Sequence, residues 1–219
     1  MKPRRTAILN AVIRYLAART GYVWEPGTAR YRNNSTGRFV AEKAIVAEIG
    51  RYADRVTENA TSITQRFTDG NITSQQWRAL MGREIKDAYI VQLQAGTGGR
   101  LATTQADYGR IGGRLAFQYR QLNKLQAEFE AGTISEKQLM ARAQMYTQSS
   151  RQAFFDGATA SNEAAGYTEE RRTLGAVRTV LCATCVGYAA RGWVPIGTLP
   201  EPGQDSECLS NCRCNKEYR

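Results

Sequence analysis

The amino-acid sequence predicts a mainly α protein, in which a helical bundle of two αα-hairpins lies between a basic N-terminal arm and a small cysteine-rich, zinc-type module. Apolar residues recur every three or four positions through most of residues 41–166, which is the spacing of amphipathic helices. All five cysteines lie within residues 182–219. We therefore divide the chain into residues 1–40 (basic helix and extended arm), residues 41–166 (bundle) and residues 167–219 (module).

The N-terminal segment combines one short helix with an irregular stretch. Residues 6–18 place five apolar side chains on one helical face, which predicts an amphipathic helix. Residues 21–40 are rich in glycine and asparagine and show no periodicity. We interpret them as an extended arm or linker.

Positive charge is concentrated in the same segment. The chain has a net charge of +10, and residues 1–66 carry 12 basic and 5 acidic side chains. Such an excess suits contact with a polyanion, either nucleic acid or an acidic protein surface, and its alternative role is a solvated basic face. The candidate contact residues are Lys2, Arg4, Arg5, Arg14, Arg19, Arg30, Arg32 and Arg38.

The first predicted hairpin of the bundle follows directly. Apolar residues sustain one helix from Ile45 to Phe67, and Asp69-Gly70-Asn71 ends it. Thr73 and Gln76 form a capping box that starts the next helix. A glycine-rich stretch that begins at Gly96 closes this second helix.

The second predicted hairpin contains a helix over residues 104–131 and a helix that starts at Ser135 with a capping box and carries apolar residues as far as Phe154. Gly112 and Gly113 interrupt the first of these helices. Two adjacent glycines imply that the helix bends there or that another backbone packs very close.

The two hairpin turns resemble each other in sequence. Phe67-x-x-Gly-x-Ile-Thr-x-x-Gln76 parallels Phe129-x-x-Gly-x-Ile-Ser-x-x-Gln138. In each copy a glycine ends one helix, an isoleucine precedes the cap, and a capping box begins the next helix. Two such hairpins in tandem predict a four-helix bundle with antiparallel neighbours.

The C-terminal module begins near residue 167. We predict a short helix over residues 168–174, whose charged run Glu169–Arg172 forms a solvated face. Residues 193–196 contain Pro195 and predict a short strand at the edge of a sheet. We interpret Trp193 and Tyr188 as a miniature core beside the cysteines.

The cysteines form two tight groups. Cys182 and Cys185 have the spacing of half a zinc site, and the other half draws on Cys208, Cys212 and Cys214. The preferred ligand set is Cys182, Cys185, Cys208 and one of the last two. Four thiolates leave no open coordination position, so the zinc would be structural. Disulfides and free buried thiols are the alternatives, and the odd number of cysteines argues against complete pairing.

Other features narrow the class of protein. The chain has no histidine and no phosphate-binding Gly-Lys-Ser/Thr loop, so the commonest general base and the usual ligand of catalytic zinc are missing. We expect no enzymatic activity, and a zinc-dependent enzyme is the least favoured hypothesis.

No apolar stretch approaches the length of a membrane span. Asn10 and Arg14 interrupt the apolar residues near the N-terminus, so a signal peptide is not predicted and a cytosolic origin with reduced thiols is expected.

The tail resembles a known family. Cys182-x-x-Cys, then Gly192-Trp-Val-Pro-Ile-Gly-Thr-Leu-Pro-x-Pro-Gly203, then Cys208-x-x-x-Cys-Arg-Cys214 is similar to the C-terminal module of tailed-bacteriophage head morphogenesis proteins, the minor head proteins of the Mu F-like kind. That family has a histidine shortly before Cys-Arg-Cys, and here Cys208 stands at a neighbouring position. The arm residues 30–40 also look like a segment of phage structural proteins. The clear resemblance covers residues 168–219.

This resemblance implies a component of the virion or procapsid. It implies assembly in the host cytoplasm, several copies in a larger particle, and contacts with portal or capsid subunits during head assembly or DNA packaging. The alternative hypothesis is a nucleic-acid-binding zinc protein, in which the basic arm neutralises phosphates.

Overall fold

A computed structural model describes most of the bundle and module and part of the arm. The predicted helix over residues 6–18 lies outside the described residues, as do Lys2, Arg4, Arg5, Arg14 and Arg19. None of the helices in the described part of the chain has both the length and the apolar character that crossing a bilayer requires. The described residues are 22–25, 30–33, 35–40, 42–97, 103–175, 181–212 and 214–219.

The bundle is helical, as predicted. Over the described residues the bundle helices are α1 (Glu42–Thr68), α2 (Ser74–Thr97), α3 (Gln105–Glu130), α4 (Glu136–Gln148) and α5 (Arg151–Ala164). Helix α2 lies at the centre of the bundle and packs against α1, α3 and α5, while α4 packs mainly against α1.

The two hairpin turns have the same construction, which confirms the repeat seen in the sequence. Gly70 and Gly132 adopt positive φ angles of 74° and 68°, which a glycine accepts without a steric cost. The N–H of Asn71 donates to Arg66 O at 2.8 Å, and the N–H of Thr133 donates to Glu128 O at 2.9 Å. Each turn therefore closes as a Schellman motif, and the predicted capping boxes follow.

Apolar side chains from all the bundle helices form one core. Trp77 is fully buried, its indole N–H donates to Thr64 Oγ1 at 3.2 Å, and its ring stacks on Phe67 with centroids 5.3 Å apart. Phe67 also meets Phe129 edge to face at 5.3 Å, so the equivalent aromatic residues of the two hairpins pack together. Tyr146 is buried in the same core.

The closest helix contact is between α2 and α5. A Cβ atom added to Gly157 would lie 2.7 Å from Leu93 O and 2.9 Å from Thr97 N, and one added to Gly96 would lie 2.0 Å from Phe154 O. These glycines therefore allow the two backbones to touch. Gly96 lies within α2 and does not end it, because the helix continues to Thr97.

Gly112 and Gly113, the adjacent glycines noted in the sequence, make no such close contact. An added Cβ at Gly112 or Gly113 meets no heavy atom within 4 Å, so no other backbone in the described part of the chain packs against them. Helix α3 runs through both glycines without interruption from Gln105 to Glu130.

The last predicted bundle helix is in fact two helices. Helix α4 ends at Gln148 and α5 begins at Arg151. The hydroxyls of Ser149 and Ser150 donate to Tyr146 O at 2.7 Å and Thr147 O at 2.6 Å. Serine side chains that bond to the preceding turn compete with the helical ladder, which accounts for the break. The bundle consequently has a fifth helix over the described residues.

The module starts with a strand instead of the predicted helix. Strand β4 (Glu169–Thr173) pairs antiparallel with β5 (Val194–Pro195) and β6 (Asn215–Tyr218), in the order β5-β4-β6. The predicted edge strand at residues 193–196 is thereby confirmed. Glu170 and Arg172 are buried, with Arg171 half-buried between them. This alternation is that of a strand, so the prediction of a solvated helix face was wrong.

Part of the predicted arm is also β structure. Strands β1 (Tyr22–Glu25), β2 (Arg30–Asn33) and β3 (Phe39–Val40) form an antiparallel sheet. Asn33 Oδ1 accepts the backbone N–H groups of Ser35 and Thr36, both at 3.0 Å. The irregular composition that we interpreted as a linker therefore includes the turn of a hairpin.

The glycine contacts between α2 and α5 give a test of the bundle. Gly157→Ala should lower the free energy of unfolding by about 1–3 kcal/mol, because the methyl group overpacks against α2. The matched substitution Gly112→Ala adds a methyl group in open space and should raise stability by up to about 1 kcal/mol through helix propensity. Denaturant unfolding followed by far-UV circular dichroism measures both. Equal effects of the two substitutions would contradict the assignment of the close contact.

Candidate metal centre

The first pair of cysteines lies at the start of a short helix, α6 (Ala183–Ala190). Cys182 is the N-cap residue, and its sulfur accepts the N–H of Cys185 at 3.4 Å. Glu207 Oε2 accepts the N–H of Ala183 at 3.1 Å. The N-terminus of a helix stabilises negative charge, so this position favours a thiolate at Cys182.

The second group lies on a tight turn. Leu209–Asn211 form one 3-10 turn between Cys208 and Cys212, and Leu209 has a positive φ of 45°. Gly203 packs against this turn: its φ is 89°, and an added Cβ would lie 2.9 Å from Leu209 O. The loop before Cys208 can therefore approach the turn only through a glycine.

The two groups bring their sulfur atoms together. The Sγ of Cys185 lies 3.6 Å from that of Cys208 and 3.7 Å from that of Cys212, and the Sγ atoms of Cys182 and Cys208 are 3.5 Å apart. A disulfide would need about 2.05 Å, so these cysteines are free thiols. Sulfur atoms bound tetrahedrally at about 2.3 Å from one zinc ion would be about 3.8 Å apart. The spacing is therefore close to that of a thiolate metal site.

The fifth cysteine joins the same cluster. Cys185, Cys212 and Cys214 have sulfur atoms that all lie within 4.8 Å of one another, as do those of Cys182, Cys185 and Cys208. Cys185 belongs to both groups and is buried. All five cysteines singled out in the sequence are thus brought together, and the cluster could hold a metal ion.

The electrostatics of the cluster disfavour several thiolates without a cation. Burial raises the pKa of Cys185, and the neighbouring sulfur atoms of Cys182 and Cys208 raise it further. Burial also raises the pKa of Cys208. At Cys182 burial acts in the same direction, but the hydrogen bond from the Cys185 N–H and the adjacent thiols outweigh it and lower the pKa. A bound dication would compensate the charge and displace the remaining protons.

An arginine of the bundle holds the cysteine loop. The Nη1 of Arg151 donates to Cys212 O at 2.5 Å, and its Nη2 donates to Cys214 O at 3.0 Å and to Asn215 Oδ1 at 2.8 Å. Its guanidinium also lies 5.2 Å from the ring centroid of Phe155. The first residue of α5 thereby fixes the backbone that carries two of the sulfur atoms.

A second arginine joins the bundle to the module. Arg114 on α3 makes a bidentate ion pair with Asp156 on α5, at 2.5 and 2.7 Å, and its Nη2 donates to Gln204 Oε1 at 3.2 Å. Gln152 on α5 donates to Gly203 O at 2.9 Å. Bundle side chains therefore contact the loop that packs on the cysteine turn.

The ammonium group of Lys216 is buried in the module and contacts three oxygen atoms there. The Nζ of Lys216 lies 2.9 Å from Glu170 Oε2, 2.9 Å from Leu199 O and 3.1 Å from Glu201 Oε2. Two hydrogen bonds and the ion pair with Glu201 compensate this fully buried charge. The backbone N–H of Leu199 in turn donates to Glu170 Oε1 at 2.7 Å.

The two aromatic residues predicted as a miniature core take different positions. Trp193 lies close to two guanidinium groups, with Arg171 at 4.7 Å and Arg219 at 4.5 Å from its ring. This arrangement is a cation–π stack on the sheet surface. Tyr188 lies on the cysteine helix, where it packs under Arg172 and donates to Asp205 O at 3.1 Å.

The described basic residues of the arm lie on the N-terminal sheet. Arg30 and Arg32 belong to β2, and Arg38 precedes β3 and is exposed. Arg32 donates to Gly37 O at 2.5 Å and lies 4.3 Å from the Phe39 ring. Arg32 therefore supports the hairpin itself.

Sequence reasoning missed the residues that support the cysteines. Arg151, Arg114 and Lys216 stand in ordinary charged surroundings in the sequence, and their partners are 15 to 90 positions away.

Together the fold and the cluster define a mainly helical protein whose C-terminal module gathers five cysteines into one candidate metal site. Comparison of the chain with protein-family models, with curated proteins and with solved structures finds no match in any of the three.

Cys185→Ser tests the cluster, because Cys185 is the residue shared by both sulfur groups. We expect the substitution to unfold the module while the bundle helices persist. Limited proteolysis should then cleave after residue 180, with far-UV circular dichroism nearly unchanged. Val186→Ala, at an exposed position of the same helix, is the matched control and should leave the module resistant. Retained resistance in Cys185→Ser would contradict a structural role for the cluster.

Glu201 gives a dependence of stability on pH. Burial raises its pKa above the ordinary value of 4.5, and the charge of Lys216 only partly opposes this effect. The folded state then holds this proton more tightly than the unfolded state, so the stabilisation is complete below the unfolded value and is lost as pH rises through the folded one. Glutamine does not titrate, so Glu201→Gln should not lose stability in this way as the pH rises. Denaturant unfolding at several pH values should show the variant gaining stability relative to the wild type as pH rises above 4.5. A constant difference would contradict the shift.

Proposed function

We propose that this chain is a non-enzymatic minor head protein of a tailed bacteriophage, a component of the virion or procapsid that acts in head assembly or DNA packaging. The bundle and arm would contact portal or capsid subunits, and a structural zinc ion would hold the C-terminal module in shape. The convergence of the sulfur atoms at 3.5 to 3.7 Å carries this proposal. The resemblance of residues 168–219 to the Mu F-like module supplies the biological context.

Zinc suits the cluster because of the chemistry of its donors. Thiolates are soft ligands, and an all-cysteine set favours zinc over the oxygen-seeking cations. We assign Cys182, Cys185, Cys208 and Cys212 as the four ligands, because short sulfur contacts join Cys182 to Cys208, Cys208 to Cys185 and Cys185 to Cys212. Cys212 is grouped with Cys185 and Cys214 in the structure, so it would have to close on Cys182 and Cys208 around one ion. Cys214 would be a fifth thiol beside the site. Cys208 would then do the work of the histidine that the phage family has near this position.

A structural role suits the surroundings of the cluster better than a catalytic role. Four thiolates complete a tetrahedral shell and leave no coordination position for water or substrate. The chain has no histidine to act as a base beside the site. Arg151 and Gln152 also tie the loops of the module to α5, so a metal ion here would rigidify a surface that is already anchored to the bundle.

The metal content tests the first part of the proposal. Protein purified under reducing conditions should contain about one zinc ion per chain, as a closed four-thiolate site requires. Cys212→Ser should lose the zinc, and Cys214→Ser should retain it. Elemental analysis measures all three proteins. Less than about half an equivalent in the wild type would contradict the zinc site, and loss of zinc in Cys214→Ser alone would reassign the fourth ligand.

Particle association tests the second part. We expect the protein to co-sediment with heads or portal rings of the virus that encodes it, in several copies per particle. Cys185→Ser should reduce this association if the module forms part of the docking surface. A chain that stays in the supernatant with both heads and portal rings would contradict the proposal.

Nucleic-acid binding through the basic arm is the alternative function. Fluorescence anisotropy with duplex DNA at two salt concentrations separates the two functions, because binding through phosphates weakens steeply with salt. Tight, salt-dependent binding that is lost on removal of residues 1–40 would favour the alternative. The head-protein proposal expects weak binding to free DNA.

A further inference from the structure

The helical bundle has an open groove on the side formed by α2 and α3. The groove has a volume of about 310 Å³. The two helices run antiparallel, because Gln94 contacts Tyr108 and Gly82 contacts Tyr119. None of the described residues of the C-terminal module lines this groove, so the groove is separate from the cysteine cluster.

One wall of the groove is basic. Arg78, Arg83 and Lys86 on α2 line it, and all three are exposed. At a rise of 1.5 Å per residue, these cations span about 12 Å along the helix. Among the described residues the lining includes no carboxylate. Asp87 and Glu130 lie nearby: burial and then the charge of Asp87 raise the pKa of Tyr119, and hydrogen bonds from Ser74 and Gln126, with the charge of Arg78, lower the pKa of Glu130.

The floor and the opposite wall are of different character. Ala79 and Gly82 form an apolar floor over the buried Leu122, and Tyr119 and Asn123 on α3 form the other wall. The Tyr119 hydroxyl donates to Gly82 O at 3.4 Å, so its ring is held across the groove. The missing side chain at Gly82 keeps the floor open, since an added Cβ would meet only Tyr119, at 3.7 Å.

From this arrangement we propose that the groove binds an acidic amphipathic helix of a partner protein. A groove between two antiparallel helices accepts a third helix along its length, with apolar side chains facing down and polar side chains at the rims. Apolar anchors of the partner occupy the floor over Ala79 and Gly82. Its acidic side chains face Arg78, Arg83 and Lys86.

The apolar floor distinguishes this partner from nucleic acid. A phosphate backbone would satisfy the three cations but would leave Ala79 and Gly82 facing polar atoms. Nonspecific binding of single strands also uses aromatic rings on which bases stack. In this groove Tyr119 is hydrogen-bonded to the backbone of the opposite helix, so its ring is not free to follow a strand.

A designed peptide is the probe for this site. The peptide is a labelled amphipathic helix of about 18 residues, or five turns, with leucines on one face and glutamates on both flanks. A peptide of the same composition with a scrambled order is the first control. A labelled oligothymidine tests the nucleic-acid explanation. Fluorescence anisotropy measures all three against the full-length protein at low and at high salt.

We expect the helical peptide to bind and the scrambled peptide to bind at least about tenfold more weakly, because only the first presents separate apolar and acidic faces. The double substitution Arg83→Glu/Lys86→Glu should weaken binding of the helical peptide by about tenfold or more. Lys137→Glu/Arg191→Glu is the matched control, with the same change in net charge at exposed positions outside the groove. It should have little effect.

Gly82 provides a second test that does not alter charge. Gly82→Ala should fold with equal or greater stability, because its Cβ fits and alanine favours the helix, and it should still bind the peptide. Gly82→Leu fills the floor and should weaken binding. Circular dichroism confirms that each variant is folded.

Four outcomes would overturn the proposal. They are no binding of the helical peptide, equal binding of the scrambled peptide, equal losses in the groove and control variants, or tighter binding of the oligothymidine with the same dependence on Arg83 and Lys86. The last outcome would assign the groove to nucleic acid. None of these measurements depends on metal content or on association with phage particles.

Discussion

The contact between sulfur atoms at the C-terminus is the constraint on which the module depends. Its helix and three strands are short, and too little apolar surface is available in so small a unit to hold it together. Cys185 lies where the helix, the 3-10 turn and the last strand meet. One metal ion bound there would join segments that are distant in sequence, and the buried Lys216 on β6 links β4 to the loop at Leu199.

The bundle and the module are built as one unit through polar contacts. Arg151 and Arg114 both use their guanidinium groups to join helices to loop backbone and side chains of the module. Thr159 extends this interface, since its hydroxyl lies 2.9 Å from that of Tyr218. Hydrogen bonds of this kind depend on the direction of donor and acceptor, so they set the orientation of the module more strictly than apolar packing alone would. A partner would therefore meet a surface of fixed shape.

Local signals in the sequence were sufficient for the first three bundle helices and for the cysteines. Periodicity and capping boxes identify α1 to α3 because both act within one or two turns of chain, and the Cys-x-x-Cys spacing identifies the site. The strand at residues 169–173 could not be recognised in this way, because its buried charges find their partners far along the chain: Lys216 for Glu170 and Pro200 O for Arg172. Gly157 and Gly112 likewise look equivalent in sequence. Only the position of α2 shows which one is in contact.

The break between α4 and α5 has a consequence for how this chain can change length. Each residue added to a helix turns the following side chains by about 100° and advances them by about 1.5 Å. An insertion at Ser149 or Ser150 would rotate Arg151 away from the carbonyl groups of Cys212 and Cys214, and it would also disturb the register of Gly157 against α2. The junction thus fixes the rotation of α5 relative to both the cysteine loop and α2. Insertions are better accommodated in loops that carry no such register.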